Sequence, residues 1–165
     1  MYERILVALD GSSAAERVLA HAEALATAFG SHVTLLRATL SAEMVLAQTA
    51  GAGDGGVGQI TPALDPEPVL EADHETAADY LGRLAGALKQ RNLNVDAETP
   101  EGPANTVIVE RAAAIGAALI LMTTHGRSGL GRMVFGSTAD SVLRHAPCPV
   151  LLVRITDEEQ TIKSP

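Results

Sequence analysis

A chain of 165 residues can bury about two thirds of its unfolded surface as one domain; with 47% apolar but only 2% aromatic side chains, its core must be Ala, Val, Leu and Ile. The net charge of −8 excludes a broad nucleic-acid face, which needs clustered cations, and confines any anion site to a local set of donors. No apolar run approaches the ~20 residues of a bilayer span and no basic-then-apolar leader opens the chain, so a soluble, cytoplasmic protein with no membrane partner is expected.

Glu3 to Leu9 is nearly continuous in apolar residues and reads as a first strand, followed by the turn Asp10-Gly11-Ser12-Ser13. Ser13 and Glu16 have capping-box spacing, which predicts a helix start there. Apolar positions at intervals of three and four carry that helix to Phe29, and Gly30 stops it. His32 to Ala38 is a second strand. Thr39 to Glu67 holds five of the fifteen glycines within Gly51 to Gly58 and reads as a long flexible insertion, with a helical turn around Glu43 to Gln48. Its Gly53-x-Gly55-x-x-Gly58 neither follows a strand nor opens a helix, so it is loop composition rather than a dinucleotide fingerprint.

A second helix is predicted from Pro68 to about Asn92, a short strand over Asn94 to Thr99, and a third helix over Ala104 to Ile115. Ala118 to Met122 is a further buried-strand pattern, Ser137 to His145 a fourth helix with capping-box-like Ser137 and Asp140, and Val150 to Val153 the last strand. Residues 156–165 read as a loose tail after a single domain over 1–155. Five strands alternating with four helices indicate an α/β fold, a doubly wound parallel sheet with helices on both faces, whose ligand lies beyond the strand C-termini. The single cysteine, Cys148, excludes an intrachain disulfide and reads as a small buried filler between Pro147 and Pro149.

The chemistry concentrates between Ala118 and Thr138. A strand breaks into Thr123-Thr124-His125-Gly126-Arg127-Ser128-Gly129-Leu130-Gly131-Arg132, and a helix opens at Gly136-Ser137-Thr138. Successive N–H groups of a Gly-rich turn and a helix N-terminus attract an anion. Hydroxyls of Thr124, Ser128, Ser137 and Thr138, with the guanidinium groups of Arg127 and Arg132, suit phosphate. Against this stands a plain tight turn with a capping serine. Asp10, at a strand end, reads either as turn chemistry or as a ligand to a ribose hydroxyl or metal. His125 has no partner in the sequence and reads as structural. His74, between Asp73 and Glu75, reads as a solvated face, and no histidine spacing suits a metal.

Thr123-x-x-Gly126, nine residues, then Gly136-Ser137 resembles the nucleotide signature of universal stress proteins, Gly-x-x-Gly, nine residues, Gly-Ser/Thr; Thr123 stands where that family has its first glycine. Ile5-Leu6-Val7-Ala8-Leu9-Asp10-Gly11-Ser12 and His145-Ala146-Pro147-Cys148-Pro149-Val150 are similar to the family too, and the resemblance covers about residues 2–154. It implies a five-stranded sheet of order 3-2-1-4-5, which sets Asp10 beside the Gly126 loop. It implies ATP, with Mg²⁺ arriving on the nucleotide, as the ligand. Ala8, Leu9 and Asp10 would lie at the nucleoside, the Ala38 backbone at the adenine, Met122, Thr123, Thr124, His125 and Arg127 along the strand end and loop, and Gly126, Gly129, Gly136, Ser137 and Thr138 around phosphate and ribose. It also implies a homodimer paired through Val150, Leu151, Leu152 and Val153, whose exposed edge would otherwise keep unpaired backbone groups.

The function so implied is a stress-response regulator that binds ATP as a homodimer and meets a protein partner the residues do not identify. A nucleotide-free dimeric interaction module, which Thr123 favours, and a slow ATPase or phosphotransfer enzyme are the alternatives. No Gly-x-x-x-x-Gly-Lys-Ser/Thr loop or Gly-x-Ser-x-Gly elbow occurs, and nothing positions a general base on an attacking water.

Overall fold

The computed structural model describes residues 1–51, 65–124 and 136–154. Its strands are β1 (Arg4–Ala8), β2 (His32–Leu36), β3 (Asn94–Glu98), β4 (Leu119–Thr123) and β5 (Val150–Val153). The helices are α1 (Val18–Phe29), α2 (Ala42–Gly51), α3 (Glu67–Gln90), α4 (Ala104–Ala114) and α5 (Ser137–His145), with a 3₁₀ turn at Ala15–Arg17 before α1. All paired strands run parallel in the order β3-β2-β1-β4-β5, as the family resemblance implied. The order reverses direction after β1, so the switch point lies between β1 and β4, where the chain leaves both strand ends toward opposite faces.

Alternation along the strands divides the core in two. Ile5, Val7, Val33, Leu35, Leu119 and Leu121 face α1 and α3, while Leu6, Ala8, Leu36, Ile120 and Met122 face α4 and α5. Fully buried Ile5, Leu6, Val7, Ile120 and Leu121 put β1 and β4 at the dry centre of the sandwich, the reason these two strands read as unbroken apolar runs. Small Ala22, Ala26 and Ala77 on α1 and α3 let both helices approach the sheet closely.

Three local expectations change. The capping box of Ser13 and Glu16 does not form: neither the 3₁₀ turn nor α1 has a side-chain cap bond, and Ser12 holds the turn ahead of them, its Oγ accepting the Ala15 N–H at 3.1 Å. The helix does end at Gly30, whose left-handed φ of 64° costs glycine nothing. The helical turn expected around Glu43 to Gln48 extends into the ten-residue α2, because Ser41 caps it: its carbonyl accepts the Val45 N–H at 3.1 Å and its Oγ faces the Met44 N–H at 3.4 Å. At α5 the capping position is Gly136, and Ser137 is the first helical residue with no side-chain cap bond, so the capping-box reading of Ser137 and Asp140 does not hold. Asp140 instead pairs with Arg144 one turn on, at 2.9 Å.

Candidate functional site

Backbone register brings the dispersed candidates to one level. Val7 pairs with Leu121 and Ala8 with Leu36; carried forward along the strands, these pairings set Ala38, Asp10 and Thr124 side by side across β2, β1 and β4. Leu9 N–H donates to the Leu36 carbonyl at 2.8 Å, the last bond between these two stretches, among the described residues, before they part.

Two positions in the row, Asp10 and Ala38, offer polar groups that have no partner among the described residues. Asp10 Oδ1 accepts both the Ser12 N–H at 2.9 Å and the Ser12 hydroxyl at 2.6 Å, which locks the turn. Gly11, at φ 86°, supplies the positive dihedral that this turn requires. Asp10 Oδ2 is buried and accepts no hydrogen bond among the described residues. At Ala38 neither the N–H nor the carbonyl has a partner there, although its neighbours do: Arg37 N–H donates to the Glu98 carbonyl at 3.1 Å and Thr39 N–H to the Pro100 carbonyl at 2.9 Å. Arg37 and Thr39 thus turn their backbone toward β3, and strand alternation turns that of Ala38 toward the opening beside β1. The side chain of Ala38 packs into the α4–α5 core.

On the other side of Asp10, Thr124 joins strand and helix. Its N–H donates to the Val153 carbonyl at 3.1 Å, and its carbonyl accepts the Gly136 N–H at 2.9 Å. That bond plants the N-terminus of α5 beside the row. The first N–H groups of a helix have no acceptor within it, and the dipole adds positive potential there. Gly136 has φ −55° and ψ 149°, an ordinary extended geometry, and a Cβ built on it meets Thr124 O at 3.4 Å among the described residues. Glycine is thus not needed here for its dihedral freedom.

Thr123 is an ordinary strand residue, buried and paired with Val153. Alternation puts its side chain on the face of Leu119 and Leu121, away from α5. Its φ is not positive, so nothing in the backbone demands the glycine that stands there in the family signature. Ala8, Leu9 and Met122 are buried beneath the row, whereas Ser137 and Thr138 open α5. His125, Gly126, Arg127 and Gly129, like Ser128, Arg132, the Gly53-to-Gly58 pattern and residues 156–165, lie outside the described residues.

A buried polar cluster flanks the row on the α3 side. The Arg37 guanidinium, 8% exposed, sits 5.8 Å above the Tyr80 ring and 3.4 Å from Asp73 Oδ1. Asp73 Oδ2 accepts the Leu40 N–H at 2.8 Å. Burial pushes the Tyr80 phenol well above its usual range, the carboxylates of Glu16 and Asp10 add to this, and Arg37 opposes it. His74 and Glu75 are exposed as expected, but Asp73 turns inward, because a helix carries neighbouring residues on different faces. An arginine directly after the apolar Val33–Leu36 run was the only sequence sign of this cluster. Cys148 is half-buried, and burial pushes its thiol up, which keeps it a weak nucleophile. Among the described residues no group of three His, Cys, Asp or Glu side chains could hold a metal ion, and no helix is long and apolar enough to cross a membrane.

A parallel sheet of order β3-β2-β1-β4-β5 with helices on both faces defines a doubly wound α/β protein. The family model of the universal stress protein family matches residues 1–154, and the chain belongs to that family. A universal stress protein of Thermus aquaticus is 31% identical over 154 residues, 93% of this chain and 100% of that one. The structure of the universal stress protein UspA from Lactobacillus plantarum is similar, with a TM-score of 0.74, 25% identity, and coverage of 93% of this chain and 98% of that one. A universal stress protein family member from Arabidopsis thaliana, solved with AMP bound, shares the fold with a TM-score of 0.64 at 14% identity, covering 97% of this chain and 96% of that one.

Proposed function

We propose that this chain is a regulatory adenine-nucleotide-binding protein whose ligand is ATP with Mg²⁺. The observation that carries the reading is that the Ala38 backbone and Asp10 Oδ2, unpartnered among the described residues, and the N-terminus of α5 at Gly136 follow one another in the order a nucleotide needs. An adjacent N–H and carbonyl at Ala38 match the acceptor and amino group on one edge of adenine. The free Asp10 Oδ2 matches a ribose hydroxyl. The α5 N-terminus suits phosphate. AMP in the Arabidopsis relative supports the same ligand class. Mg²⁺ would be held mainly by phosphate oxygens and water, since small hard cations bind with few protein ligands when a phosphate is present. Nucleotide binding would bias the site between two states that a protein partner distinguishes, which requires different affinities for those states.

The active form we propose is a homodimer paired along β5. Ile120 N–H donates to the Pro149 carbonyl and Thr124 N–H to that of Val153, so Pro149, Leu151 and Val153 turn their backbone toward β4, and Val150 and Leu152 turn theirs outward. All four β5 residues are only half-buried, and Leu143 on α5 is 41% exposed. A two-fold partner would cover this apolar edge.

Calorimetric titration of ATP and Mg²⁺ tests the site, run on the wild type beside Gly136→Val. The extended backbone at Gly136 accepts valine, and the added methyl groups enter the space before α5. The expected result is a folded variant whose ATP affinity falls by roughly 30-fold or more, the loss of about 2 kcal/mol of charge-assisted hydrogen bonding. Equal binding by both proteins would remove phosphate from this helix end, and a wild type that binds no adenine nucleotide would refute the reading.

A further inference from the structure

We infer that Asp73, a residue of α3 one layer away from the crevice, is a positioning residue for the nucleobase: its carboxylate clasps the chain on both sides of Ala38 and so aims the free N–H and carbonyl of that residue. The inference rests on the nucleotide reading above and adds to it the group that sets base recognition.

The geometry is specific. One oxygen of Asp73 meets the guanidinium of Arg37, the residue before Ala38, at 3.4 Å. The other accepts the N–H of Leu40, two residues after it, at 2.8 Å. From the opposite side β3 holds the same stretch: Arg37 N–H bonds to Glu98, Thr39 N–H to Pro100, and the Thr39 carbonyl accepts the Gly102 N–H at 2.9 Å. Hydrogen bonds along one edge leave a strand free to roll about its own axis. A second anchor from the helical layer removes that freedom, and roll is what would swing the Ala38 N–H and carbonyl out of line with a planar base. The anchor is itself rigid, since Arg37 is buried and stacked on Tyr80. A carboxylate suits the role because it can accept from a guanidinium and a backbone N–H at once.

Two variants remove the clasp from opposite ends. Leu40→Pro deletes the donated N–H and keeps the buried ion pair. Arg37→Met with Asp73→Leu deletes the acceptor without stranding a buried charge, which Asp73→Ala alone would do at the expense of folding. Arg37→Met with Asp73→Asn keeps an oxygen for the Leu40 N–H without stranding the guanidinium, and is the conservative rescue. Each protein is titrated with ATP, GTP and inorganic tripolyphosphate in the presence of Mg²⁺. Both clasp-free proteins are expected to bind ATP about tenfold more weakly, as misaligning the pair of base hydrogen bonds implies, with a narrowed preference for ATP over GTP. Tripolyphosphate binding should stay within about twofold of wild type, and Arg37→Met with Asp73→Asn should stay within about threefold of wild type for ATP, because a tenfold change needs a full 1.4 kcal/mol. A merely structural role would weaken ATP and tripolyphosphate together. That result, or unchanged ATP binding and base preference in either folded clasp-free protein, overturns the inference while leaving the nucleotide site intact. A wild type that binds none of the three overturns the nucleotide reading and this inference together.

Discussion

Replacing Asp10 with asparagine separates what this residue does for the fold from what it would do for a ligand. Oδ1 carries the structural work, accepting the Ser12 N–H and hydroxyl at 2.9 and 2.6 Å, and the asparagine oxygen can take over both bonds. Oδ2 carries none: it is buried without a partner among the described residues. Asp10→Asn therefore exchanges a buried, unpartnered carboxylate oxygen for an amide NH2 that is equally unpartnered there, so a desolvation cost of about 1–3 kcal/mol stays in place. In addition, a negative charge is lost near the start of the 3₁₀ turn and α1, worth about 0.3–1 kcal/mol. The net effect is a stability that holds or falls by up to about 1 kcal/mol, or roughly 2–4 °C in Tm at this chain length. Binding should change further. A hydrogen bond to a charged acceptor contributes about 1.5–3 kcal/mol, so ATP affinity falls roughly 10- to 150-fold.

The assay is calorimetric titration of ATP and of 2′,3′-dideoxy-ATP into both proteins, beside thermal unfolding. If Oδ2 accepts from the ribose, the wild type prefers ATP and the variant binds both nucleotides alike, which is the coupling expected of two groups in contact. Equal discrimination by the two proteins would refute the ribose contact. A Tm loss of more than about 5 °C, beyond 1 kcal/mol at this size, would show that Oδ2 has a structural partner after all.

Two further outcomes follow from the sheet. Val150→Pro removes an N–H that points away from β4, at the first residue of an edge strand where proline is tolerated; light scattering should show a folded monomer, and a persistent dimer would exclude β5 as the interface. Leu121→Ala, fully buried at the centre of β4, should cost about 2–5 kcal/mol in urea unfolding, and a loss below about 1 kcal/mol would contradict the packing of α1 and α3 against that face.

What the chain determines by itself is its periodicity and punctuation. Uninterrupted apolar runs at Ile5–Leu9 and Ala118–Met122, helical spacing from Leu70 to Leu88 and a stop at Gly30 are local properties, set by side-chain type and backbone freedom. They define an α/β sandwich before any contact is known, and motif spacing adds the family and with it the strand order. Caps are less legible, because neighbouring hydroxyls compete: Ser12 rather than Ser13 holds the α1 turn, since Asp10 orients it. Likewise glycine suggests an unusual dihedral at Gly136, yet the structure holds it in ordinary extended geometry.

Only the tertiary structure decided which polar groups are left unused. Ala38, Asp10 and Thr124 stand far apart in sequence, and parallel register alone sets them level. That Asp10 Oδ2 and the Ala38 backbone have no partner among the described residues, and that Asp73 turns inward, depend on which neighbours arrive and which do not. A hydrogen bond not made is a property of the assembled sheet, because every donor and acceptor is satisfied by water in the unfolded chain and loses that partner only where packing excludes it.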